Sequence, residues 1–154
     1  MESEIIEIFE EVLEPIGFCR SKFVWRRHRV ESIDVIDLQK SDYDNLFYVN
    51  LGIFFPQLGD LKNPPTYKCH IQVRLNRLHP EPQLLENILD QSEKWKVEKS
   101  ERIGIVKYGI VEAEKLFFNR FSTLNAAAAF VPLMSQYGFA VSAPLYHYWE
   151  RTKR

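Results

Sequence analysis

The side chains best equipped for chemistry fall on alternate positions of three β-like runs. In IDVIDLQK, Asp37 and Gln39 share one face; in FYVNLGIF, Tyr48 and Asn50 do; in YKCHIQVRLN, His70, Gln72 and Arg74 do. With neighbouring strands about 4.8 Å apart, the three runs would gather all seven on one surface. His70 is the natural acid or base of that group, Asp37 a group to orient it, and Arg74 a bidentate holder of an anion. Mid-strand Asn and Gln are poor strand formers and point to a hydrogen-bonded network or a ligand-facing surface. The plainer reading is the solvated face of an antiparallel sheet.

Other chemistries lack their signatures. The histidines His28, His70, His79 and His147 show no HxxxH or HExxH spacing, and Cys19 and Cys69 form no CxxC pair, so neither a metal nor a cofactor is expected. Cys69 and His70 are adjacent, which on a strand sends them to opposite faces. They cannot serve as nucleophile and base, and Cys69 reads as a core thiol. No GxSxG, phosphate-cradling glycine loop or dinucleotide fingerprint occurs, so no catalytic residue is assigned.

Charge narrows the partners. With 20 basic and 21 acidic residues the formal charge is −1, which argues against a protein built to hold a polyanion. Six glutamates precede residue 18, and the bases Arg20, Lys22, Arg26, Arg27 and Arg29 follow. Such neighbouring blocks are expected to neutralise each other rather than to form a nucleic-acid patch.

The elements that must position the polar row can be read around Ile33 to Phe55. Two apolar runs flank SDYDN, a turn-forming segment, and so predict a hairpin. Pairing Leu38 with Val49 and Ile36 with Leu51 joins the apolar rows and sets Gln39 beside Tyr48 and Asp37 beside Asn50; a one-residue slip would mix the faces. Tyr67 to Asn76 alternates cleanly and predicts a further strand, with Cys69, Ile71 and Val73 buried opposite His70, Gln72 and Arg74. Phe23 to Arg29 reads as an edge strand with exposed arginines. A Pro-rich loop, PQLGDLKNPPT, precedes the last strand.

Helices are predicted on either side of these strands. Ser3 caps one through about Glu14, with a stripe of Ile5, Phe9, Val12 and Leu13 and a left-handed exit at Gly17. Later come a short helix from Pro82 and EKWKVEK, an exposed linker or a minor strand. A bent helix from Ser100 to about Phe121 follows, weakened at Gly104 and Gly109 with a kink near Tyr108, then one started by Thr123 or Ser122 and interrupted at Pro132, and a short terminal helix or frayed tail. Strands followed by helices define an α+β class, a four-stranded antiparallel sheet with helices covering one face. At 154 residues this is one domain. The acidic start is the reverse of a signal peptide, no apolar run approaches a membrane span, and two cysteines suit a reducing cytoplasm.

The succession of Gly17 and Phe18, Gln39 and Lys40, the FYVNLG strand (Phe47, Val49, Asn50, Leu51, Gly52) and CHIQVR (Cys69, His70, Arg74) resembles an uncharacterised bacterial family catalogued only as a domain of unknown function. The resemblance spans most of the chain and implies the fold and the polar face. By analogy with small proteins encoded beside toxins or defence systems, it suggests an immunity-like or regulatory binding protein. Two functions are therefore expected from different classes. One is a non-enzymatic interaction module with a protein partner, with the polar row as contact surface; the other is a small-ligand protein or enzyme built around His70 and Arg74.

Overall fold

The computed structural model describes residues 2–153. Its centre is the hairpin of β3 (Ile33–Lys40) and β4 (Phe47–Phe54), with Leu38 opposite Val49, Ile36 opposite Leu51, Gln39 opposite Tyr48 and Asp37 opposite Asn50. That is the register that joins the two apolar rows. In the turn, the Ser41 hydroxyl accepts hydrogen bonds from the backbone N–H groups of Tyr43 and Asp44.

The sheet has six strands, not four, in a simple antiparallel meander: β1 (Cys19–Ser21), β2 (Val24–His28), β3, β4, β5 (Ile71–Arg74) and β6 (Ala140–Val141). The two added strands hold three and two residues, too short to display a period. β1 displaces β2 from the edge. Nor does Arg27 point to water: its side chain is 13% exposed and meets Asp34 and Glu114.

All five helices contribute to one core against the face formed by Trp25, Ile36, Leu38, Val49, Leu51, Ile71 and Val73. Helix α1 (Glu2–Leu13) buries Ile5, Phe9, Val12 and Leu13, and the chain leaves through Gly17 at φ +96°. Ser3, expected as its cap, falls in the first turn, and its side chain lies outside the described residues. α2 (Pro82–Leu89) starts on its proline. α3 (Lys99–Ala113) carries on through a π-helical turn, Glu114–Phe118, so it starts one residue before Ser100 and its irregularity falls after both glycines. α4 (Leu124–Met134) is capped by the Thr123 hydroxyl and outlasts Pro132 by two residues. α5 (Ala143–Thr152), capped by Ser142, is a helix where a frayed tail was the alternative.

Ion pairs tie the elements together. Asp34, fully buried, accepts from Arg27 (2.8 Å) and Arg29 (2.6 Å) through one oxygen, and Arg27 also grips Glu114 of the π-helical turn. Burial pushes the Asp34 carboxyl up while the two guanidiniums oppose that shift. At the other end Glu4 meets Arg102 (2.5 Å) and Lys94 (3.4 Å), and the Arg102 hydrogen bond leads in holding Glu4 below its usual range. Lys94 is 2% exposed, so the linker expected to be solvated is partly inside.

Candidate functional site

The polar row assembles, with one member missing. Asp37, Gln39, Tyr48, Asn50, Gln72 and Arg74 all stand on the sheet face turned away from the helices, set there by the β3–β4–β5 register, in which Asn50 opposes both Asp37 and Arg74. The Asn50 amide donates to Asp37 (2.8 Å) and to Gln39 (2.9 Å). The Thr66 hydroxyl donates to the other Asp37 oxygen, so both oxygens of that carboxylate are engaged. Gln72 donates to the carbonyls of Tyr67 and Cys69, both at 3.2 Å. The Arg74 guanidinium lies 4.1 Å from the centre of the Tyr48 ring. These bonds are the compensation that mid-strand amides require.

His70 is the missing member. The predicted strand from Tyr67 to Asn76 is shortened to Ile71–Arg74, because Pro64 and Pro65 lead into a 3-10 turn (Thr66–Lys68) and a second one (Leu75–Arg77) ends it. His70 keeps to the face of Phe54 and Gln72, but the chain covers it there. His70 is 4% exposed and stacked on Phe54, ring centres 4.6 Å apart, and its Nδ1 accepts the Phe55 backbone N–H at 2.9 Å. That bond fixes the proton on Nε2, and burial brings the imidazole down to about 4. Neutral His70 does not line the polar hollow described below and has no part in a pair with Asp37.

Cys69, by contrast, departs from its expected side. It packs with Ile33, Val35 and Phe54 on the second face, over Gly52, where a Cβ would stand 2.6 Å from its sulfur. Gly52 is what admits the thiol. Burial pushes Cys69 up to about 12, which leaves it inert. The second face is thus half apolar, covered by residues 55–70, and half polar.

Over the polar half lies a hollow of about 870 Å³, lined among others by Asp37, Asn50, Thr66, Tyr67, Arg74 and Arg77. Thr66, Tyr67 and Arg77 were not legible as site residues, since each comes from an irregular segment beside the strands. The spacing of Arg77 three residues after Arg74 was the available signal. Among the described residues neither Arg74 nor Arg77 has a hydrogen-bond or ion-pair partner for its guanidinium. A second hollow, about 390 Å³, opens between β4 and α2 and shares Arg74 and Asn76 with the first. Among the described residues no group of three or more His, Cys, Asp or Glu side chains is placed to hold a metal ion, and no helix is long and apolar enough to cross a membrane.

Fold and site together define a small α+β protein, a meander sheet backed by helices, whose free face carries a concave, amide-rich and locally cationic surface. The chain belongs to the family described as Domain of unknown function (DUF4304), whose model matches residues 9–108. Searches of curated proteins and of solved structures found no match.

Proposed function

We propose that this protein is a non-enzymatic binding module that receives a protein partner on its polar hollow, in the manner of an immunity-like or regulatory protein. The observation that carries the reading is Arg74. Its guanidinium rests on the Tyr48 ring with its N–H groups uncommitted, on a concave face where Asp37, Gln39, Asn50 and Thr66 are bonded to one another. Stacked, pre-positioned Arg and Tyr side chains are the residue types that dominate protein interfaces. The burial of His70, away from the hollow and with its Nδ1 bonded to the Phe55 N–H, supports the binding reading over the enzymatic one.

The test is affinity capture from the native host with tagged protein, followed by binding of the recovered partner to Arg74→Ala and Tyr48→Ala. Each substitution should weaken binding about tenfold or more, as a central interface residue does. Recovery of no partner, or of one indifferent to both changes, overturns the proposal. A second reading, a small-ligand site, draws support from the hollow's volume, which lies within the roughly 300–1,000 Å³ of small-molecule pockets. A thermal-shift screen with nucleotides, sugars and amino acids separates the two.

A further inference from the structure

We infer that the occupant of this face is an extended acidic peptide segment that ends in one large apolar side chain, with the acids in the broad hollow and the apolar residue in the smaller one. The inference rests on the binding reading above and specifies its ligand. Its starting point is adjacency. The two hollows share Arg74 and Asn76, so they adjoin at those side chains, one over the outer sheet face and the other in the gap between β4 and α2.

The two hollows differ in chemistry. In the broad hollow the only carboxylate is Asp37, already bonded to Asn50 and Thr66, while Arg74 and Arg77 are uncommitted among the described residues. The surplus charge is positive, in a chain whose total is −1, and planar guanidiniums match carboxylates. Between them stand amide groups with capacity to spare. Gln39 uses its oxygen on Asn50, leaving its N–H₂; Gln72 uses its N–H₂ on two carbonyls, leaving its oxygen. A donor and an acceptor of this kind suit the C=O and N–H of a peptide backbone.

The smaller hollow has an apolar floor, with Leu46, Phe47, Val49, Leu85 and Leu89 among its lining. Its volume of about 390 Å³ accommodates a Leu, Met or Phe side chain. Within this hollow the sign of the surface reverses, because its lining includes Asp90 and Glu86, the latter accepting from the Asn76 amide (3.4 Å) where the two hollows meet. Acids continued past the anchor would be repelled, so the segment carries its carboxylates on one side of the anchor only. This polarity distinguishes the proposal from a general attraction of anions to arginine.

The experiment is selection of a random-sequence peptide display library on the intact protein, with titration of the enriched peptides against exposed-site variants. Arg74→Ala and Arg77→Ala remove the cationic contacts, and Asn87→Trp places a ring at the mouth of the smaller hollow from the exposed face of α2. Circular dichroism confirms that each variant is folded. The expected result is enrichment of peptides with two or more Asp or Glu on one side of a large apolar residue, with affinity reduced about tenfold by each variant. The proposal is overturned if no peptide is enriched, if the enriched peptides are basic or carry acids on both sides of the anchor, or if binding ignores Asn87→Trp. It is equally overturned if nucleotides or inorganic phosphate bind at Arg74 while peptides do not. A host partner lost on Arg74→Ala but unaffected by Asn87→Trp sinks this inference and leaves the wider binding reading intact.

Discussion

Replacement of His70 by Asn tests the buried imidazole directly. The Asn side-chain oxygen can take the place of Nδ1 as acceptor for the Phe55 N–H, while the titrating group is removed. In the folded protein the imidazole titrates at about 4, against about 6.5 in an unfolded chain. As pH falls through 6.5 the unfolded state takes up the proton first, so stability is full above that value and drains away towards pH 4. At pH 5 the unfolded chain is nearly all protonated at this site and the folded one hardly at all, which amounts to roughly 2 kcal/mol of lost stability. Urea denaturation of the wild type and of His70→Asn at pH 7.5, 6, 5 and 4.5 supplies the difference between the two curves, cancelling carboxylates and the other histidines. The variant should start less stable at pH 7.5, having lost the ring packed on Phe54, and the gap should close by about 2 kcal/mol by pH 5. A constant gap, or a His70 carbon resonance that titrates near 6.5 in the folded protein, refutes the reasoning.

Two glycines of one helix should respond in opposite senses. A Cβ on Gly104 meets nothing within 4 Å, so Gly104→Ala should stabilise by about 0.5–1 kcal/mol, whereas a Cβ on Gly109 would lie 2.5 Å from the His79 ring, so Gly109→Ala should cost about 1–3 kcal/mol in thermal melts. Asp34→Ala leaves Arg27 and Arg29 with Glu114 as their one remaining carboxylate and should destabilise by roughly 3 kcal/mol in denaturant titration; a change under about 1 kcal/mol contradicts a structural role for the cluster. A thiol reagent should label Cys19 alone in the native protein and both cysteines after unfolding, since Cys69 is buried with its thiol at about 12.

What was legible in the sequence was what obeys a period. Eight residues of alternation in β3 and in β4 determined their register to the residue, because one slip would have exposed Leu38, Val49 and Leu51 together. The same logic placed Asn50, Gln72 and Arg74 correctly. It failed at Cys69 because alternation was extended past Ile71 into a segment that two prolines had already turned, and it could not show that the same segment covers His70 on the face where alternation put it. No local pattern could reveal β6, two residues long and paired to a strand far earlier in the chain, or the inward turn of Arg27, which depends on Glu114. Site residues from irregular segments, Thr66 and Arg77 above all, became visible only when the backbone had closed around them.

The meander has a consequence for the order in which the protein acquires its structure. Each of the first four strands pairs with the next along the chain, so those contacts close comparatively short loops. β6 is the exception, since the β5–β6 pairing spans residues 75–139 and α2, α3 and α4 lie between its partners. It is held by two residue pairs and by the Ser142 N–H bond to the His70 carbonyl. The last strand therefore docks after the helical layer and is the first to open, which should appear as fast amide exchange at 141 and 142 relative to β4. Gly138 and Ala140 belong to this segment and line the broad hollow, so one side of the receiving surface is its least stable part. A ligand seated there stabilises the closed β6 at some expense of its own affinity, and slower exchange at those amides on binding would report occupancy without any label on the ligand.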